Sequence, residues 1–242
     1  GDVNDTLPVA QYGLEYLYDM ATLAHITINV AEEDWNDFLS YYDQNPHNEE
    51  YIPASFVYEK SGEKFGLDSI GIRLRGNTSR RRPEGGVGEI HSANGDWHHA
   101  HFGVKFDEYV EDQTFCTADR IYLKWHKDDA NYCREVYSYD LFRRFGVWSA
   151  PRACYTRLSI FVEGDDKPVY MGVYALIEGM KDSYLRSRVE AGKYTTEDGF
   201  LWKASYGANL SPNTMTDNNM GVEVAALNPA QSEAYMYDLK TK

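Results

Sequence analysis

Five arginines, Arg73, Arg75, Arg80, Arg81 and Arg82, fall within ten residues of a chain that is otherwise acidic. A guanidinium grips phosphate or carboxylate through two parallel N–H donors, so arginines grouped on one surface can hold an anion. Ile70, Ile72 and Leu74 alternate with Gly71, Arg73 and Arg75, which predicts a strand carrying both arginines on one face. The competing reading pairs them with the many surface Asp and Glu residues. A carboxylate closes the apolar stretch Gly172-Val-Tyr174-Ala-Leu176-Ile-Glu178, either as a structural acid or as one aimed into a cleft. In His98-His99-x-His101, His99 and His101 would share a strand face and could bind a metal, with a third ligand from Asp96 or from Asp128 and His126. The alternative is a set of exposed histidines at a loop–strand junction. Asp129-x-x-x-x-Arg134-Glu135 reads as helix capping and surface pairing. Gly85-Gly86-Val87-Gly88 lacks the preceding strand and the following Lys-Ser/Thr of a phosphate loop, and no G-x-S-x-G elbow occurs.

The elements that must position these groups are legible as periodicities. His25–Val30 alternates as a strand, and Trp35, Phe38, Leu39 and Tyr42 give one apolar stripe on a helix over 31–42, with Glu32, Glu33 and Asp34 at its positive N-terminal end. Further strands are predicted at 70–75, 102–106, 121–125, 155–162 and 169–177, and near 199–203 and 235–239. A second helix over 131–145 would place Cys133, Tyr137, Leu141 and Phe145 on one stripe with Val136 beside them, and a short helix is expected at 181–191. Residues 77–96 read as a long mobile loop, and 205–220 as a second loop.

Composition bounds the function classes. The 242 residues carry 24 Lys and Arg against 38 Asp and Glu, a net charge of −14, which opposes generic binding to nucleic acid or anionic membranes. No apolar run is long enough for a membrane-spanning helix. Cys116, Cys133 and Cys154 contain no C-x-x-C pair and could form one bridge at most. The start Gly1-Asp2-Val3 reads as a mature N-terminus left by a removed export signal.

Four stretches occur in a fixed order: Ile72-Arg73-Leu74-Arg75-Gly76-Asn77-Thr78-Ser79; Phe102-x-x-Lys105-Phe106-Asp107; Leu123 with Asp129-x-x-x-x-Arg134-Glu135; and Gly172-x-Tyr174-x-Leu176-x-Glu178. The series resembles the CotH kinase family, named after the spore-coat protein H. The resemblance implies an α+β, protein-kinase-like fold, a mostly antiparallel sheet with a few packed helices, of which this chain would hold the N-terminal lobe and part of the core. Residues 1–22 would be an extension, 23–204 the kinase-like domain, and 205–242 a loop and the start of a second lobe. It further implies a secreted or cell-surface bacterial protein that transfers phosphate from ATP, with Mg or Mn, to Ser or Thr of a surface or coat protein. Arg73, Arg75 and Lys105 would then face the phosphates, and Glu178 would position a cation or a metal-bound water. The family's Lys-Lys-Ser stretch is replaced here by His98-His99-Ala100-His101, leaving Lys105 or Lys124 to supply the phosphate-holding lysine. The family's later acidic motifs are not found in these residues, so the chain alone is expected to be inactive, as a pseudokinase or a fragment. Two readings compete with it: a non-catalytic surface module that uses aromatic side chains to bind carbohydrate or a protein, and a metal-dependent hydrolase built on His99 and His101.

Overall fold

The structure, a computed structural model, describes residues 12–197. Period-two alternation builds most of it. β1 (Ala24–Val30) buries every second side chain. β2 (Ile52–Lys60) and β3 (Glu63–Arg75) form a hairpin whose turn residues Ser61 and Gly62 have φ of 54° and 85°, the left-handed pair that matches the twist of the strands it joins. β4 (His101–Lys105), β5 (Arg120–Lys124), β6 (Ala153–Val162) and β7 (Val169–Glu178) follow. The helices are α1 (Leu14–Leu17), α2 (Glu32–Gln44), α3 (Arg134–Arg144) and α4 (Asp182–Glu190). None of them is long and apolar enough to cross a membrane.

The strands close into a barrel in the order β1-β2-β3-β4-β5-β7-β6. Neighbours run antiparallel except at the seam, where β1 lies parallel to β6 from Ala24↔Thr156 to Val30↔Val162. This corrects the expected protein-kinase-like two-lobe α+β fold: the described residues form a closed, mixed seven-stranded barrel with few helices. The reason is physical. Alternation tells which face of a strand is buried but not which strand lies beside it, and the seam joins residues 132 apart in the chain.

One apolar cluster fills the barrel, with Ile26, Ile28, Phe56, Tyr58, Ile72, Phe102, Val104, Leu123, Leu158 and Tyr174 all at 0–1% exposure. α2 adds Trp35, Phe38 and Leu39 to it, the first three positions of its predicted stripe. α1 adds Leu14 and Leu17, and Tyr18 follows them into the core. These three lie in the segment expected to be an extension. Two units are distinguished along the chain, Gly1–Lys193 and Tyr194–Lys242, and the barrel lies in the first.

Three local expectations change. β2 and the first half of β3 were not anticipated, although the Ser61-Gly62 pair is a turn signal. The stripe expected to bury α3 does not: Val136 is its buried side chain, whereas Cys133, Tyr137 and Phe145 are exposed. The segment between β3 and β4 is anchored. Arg82 binds both oxygens of Asp43 at 2.8 and 3.1 Å. Glu84, 1% exposed, accepts from Trp35 Nε1 at 2.8 Å, from the Ser92 amide at 2.9 Å and from His91 Nδ1 at 2.9 Å. The strands expected near 199–203 and 235–239 and the loop at 205–220 lie outside the described residues.

Candidate functional site

The face of the sheet turned away from the barrel core gathers most of the chemistry-bearing side chains. Register sets the rows. Arg73 lies opposite Gly103, Gly103 opposite Tyr122, and Tyr122 opposite Ile177. In the next row Arg75 lies opposite His101, and Lys124 opposite Ala175. Gly103 leaves a notch between its neighbours, since a Cβ there would sit 3.7 Å from Arg73 Cγ and 3.9 Å from both Arg75 Cδ and Tyr122 Cδ1. The Arg75 guanidinium lies over the Tyr122 ring, 3.6 Å from its centroid, an arrangement that holds the cation while leaving its N–H edges open.

α3 closes one side of this face. Val136 packs with Ala153, Ala175 and Ile177, flanked by Tyr122, Tyr139 and Tyr155. Asp129 sets the start of the helix by accepting the Arg134 amide at 2.7 Å, as the spacing predicts. That placement brings Glu135 onto Lys124, whose ammonium it binds in a direct ion pair. Nothing local in the sequence joins these two residues. The available signal was a lysine at a strand end and a glutamate 11 residues on in the first helical turn.

The predicted residues do not all share one site. Arg73 points to Glu49 at 3.1 Å, which also binds Arg80 at 2.9 Å. Lys105 binds Glu108 at 2.8 Å, with Asp107 at 3.8 Å. Arg75 has no carboxylate partner among the described residues. Glu178, 2% exposed, accepts from the Arg152 amide at 2.8 Å and from the guanidinia of Arg152 and Arg188. Both of its oxygens are engaged.

The two histidines take separate roles. His99 stacks flat on Trp125, with ring centroids 3.5 Å apart. His101 accepts the Trp125 amide at Nδ1, at 2.9 Å. Burial, reinforced by the charges of Lys124, Arg75 and Lys127, pushes its pKa down to about 4, so at neutral pH the ring is an uncharged acceptor inside a cationic group. Among the described residues no group of three or more His, Cys, Asp or Glu side chains is placed to hold a metal ion. What the face can do is receive an anion: Arg75 and Lys124 supply charge, the Gly103 notch supplies room, and Glu135 fixes the ammonium.

Comparison with known families bears on this geometry. The model of the family described as CotH kinase protein matches residues 72–237, from the last four residues of β3 onward, leaving β1 and β2 outside the match. No curated protein matches the chain.

Proposed function

The chain belongs to the CotH kinase protein family, and from that membership we propose that the outer face around Gly103 holds the phosphates of ATP for transfer to Ser or Thr of a protein substrate at the cell surface or spore coat. The observation that carries this reading is the Lys124–Glu135 ion pair beside Arg75. Protein kinases hold a strand lysine against a helix glutamate so that the ammonium meets the phosphates in a fixed position. Phosphoryl transfer asks little covalent work of a protein and much electrostatic positioning.

ATP supplies the phosphoryl group and its leaving oxygen. Lys124, oriented by Glu135, neutralises charge on the phosphate side, and Arg75 offers bidentate donors from its seat on Tyr122. Lys124 is better placed than Lys105 for the lysine that the His98–His101 stretch lacks, because it pairs with one carboxylate, from a helix, whereas Lys105 lies between two, Glu108 and Asp107, from the turn that follows its own strand. Arg73 steadies the edge of the site through Glu49. The place of Glu178 in this scheme is to fix Arg152 and Arg188, since both oxygens are engaged. The described residues offer no ligand set for the divalent ion that the family implies, and no step is assigned to it.

Calorimetric titration of ATP into the chain, with and without Mg²⁺, tests the proposal. Saturable binding weakened tenfold or more by Lys124→Ala, by Glu135→Ala and by Arg75→Ala is the expected result. Absent binding, or binding indifferent to Lys124→Ala, would overturn it. The second reading, a non-catalytic module for a protein partner, draws on the exposed Tyr137, Phe142 and Phe145 of the α3 segment. It predicts partner capture that survives Lys124→Ala and is lost when these aromatics are replaced.

A further inference from the structure

Away from the outer face, α1, α4 and the C-terminal end of α3 border a half-open cavity of about 400 Å³, lined among others by Glu15, Arg143, Trp148, Arg152, Arg188 and Lys193. This volume is in the range of small-molecule sites. Two of its arginines are built in. Arg188 is tied to Glu178, to Ser187 Oγ at 2.9 Å and to the Ala150 carbonyl at 2.9 Å. Arg152 is tied to Glu178 at 2.9 Å. Their guanidinia are therefore held in place before any ligand arrives, which removes an ordering cost from binding.

The remaining contacts leave the cavity short of negative charge. Glu15 accepts from Arg152 Nε at 2.9 Å and lies 3.8 Å from Arg143. Its side chain is 76% exposed, so screening leaves the pair weak and the carboxylate replaceable. Lys193 is exposed and has no ion-pair partner among the described residues. Four cations thus face Glu15 and Glu178, an excess of two positive charges in a protein whose net charge is −14.

We infer that this cavity is a second anion site, selective for a phosphate monoester, whose dianion takes the place that Glu15 occupies between Arg152 and Arg143. A phosphate monoester carries close to two negative charges at neutral pH and matches the arginine fork. The cavity is roomier than a bare phosphate requires, which leaves space for an organic body beside Trp148. The site is independent of the one proposed for ATP. Glu135 lies in the first turn of α3 and Arg143 in its last, about 12 Å apart along the helix at its usual rise.

The test is calorimetric titration of the chain with O-phospho-L-serine, with L-serine and inorganic phosphate as separate arms. Phosphoserine should bind saturably and serine should not. Arg143→Ala combined with Lys193→Ala should weaken binding at least tenfold, and Glu15→Gln should tighten it about threefold or more. Lys124→Ala should leave it unchanged. Both Arg143 and Lys193 are exposed, and an unchanged thermal midpoint in the double variant confirms that it folds. Absent binding, binding indifferent to the double variant, or loss in Lys124→Ala would overturn the site. Inorganic phosphate binding as tightly as phosphoserine would overturn the monoester selectivity, and unaltered affinity in Glu15→Gln would overturn the displacement of Glu15.

Discussion

His101 and Glu178 are both polar groups taken out of water, and they are stabilised in opposite ways. His101 stays neutral among cations, with its pKa lowered from 6.5 to about 4. A base depressed in the folded state costs nothing when both states are neutral. As pH falls below about 6.5 the unfolded chain takes up the proton first, and stability drains away until the folded pKa is passed. The loss should approach the order of 3 kcal/mol near pH 4. Urea unfolding of the wild type and His101→Gln at pH 7 and pH 4 checks this: the variant keeps an acceptor for the Trp125 amide, and its dependence on pH should be smaller. Glu178 instead is buried against two guanidinia, which bind its carboxyl oxygens. Glu178→Gln leaves those arginines underpaired in a buried position and should cost about 3–5 kcal/mol. An unfolding midpoint close to wild type would contradict that. Glu178 was legible as a carboxylate ending an apolar strand, but its arginine partners were not. They come from separate segments, 26 and 10 residues away.

At the scale of elements, the connection between β3 and β4 departs furthest from expectation. Its composition of Arg, Gly and Glu reads as a solvated loop, yet Arg82 and Glu84 are buried at 5% and 1% exposure. Each is satisfied by a group distant in sequence, Asp43 for Arg82 and Trp35 for Glu84. His91 joins the same network, with Nε2 3.2 Å from Asp165. Burial alone would lower its pKa, but the bonds to Glu84 and Asp165 outweigh that and raise it. A raised base contributes its stability below about pH 6.5, and that contribution disappears as pH rises through the folded value. Amide exchange at Gly85 and His98, which bond to the Asp96 and Pro83 carbonyls, should therefore quicken beyond its intrinsic pH dependence above neutrality. His91→Gln should abolish this excess, and an unchanged profile would refute the link. α3 teaches the converse. Its spacing is helical, but the stripe of Cys133, Tyr137, Leu141 and Phe145 is not its buried side, because a helix with many aromatics offers more than one stripe and the sheet selects among them.

For the whole molecule, barrel closure makes the core a single unit. Ile28 is fully buried on β1, between Phe56 of β2 and Ile160 of β6. Ile28→Ala should cost about 2–5 kcal/mol by lost burial and an unfilled cavity. Ile90→Ala, at a side chain 73% exposed, should stay within about 0.5 kcal/mol. Comparable midpoints for the two variants in chemical denaturation would argue against a closed barrel. By itself the sequence determined β1, the end of β3, β4 to β7 and the three longer helices, which strand faces carry charge, and the family, because periodicity and short motifs are local. Tertiary structure decided that the sheet closes through the parallel β1–β6 seam, that Glu135 meets Lys124, and that Glu178 is held by two arginines. Each of these joins groups from separate elements, and such pairings depend on strand order and helix rotation, which cooperative packing sets and no local pattern encodes.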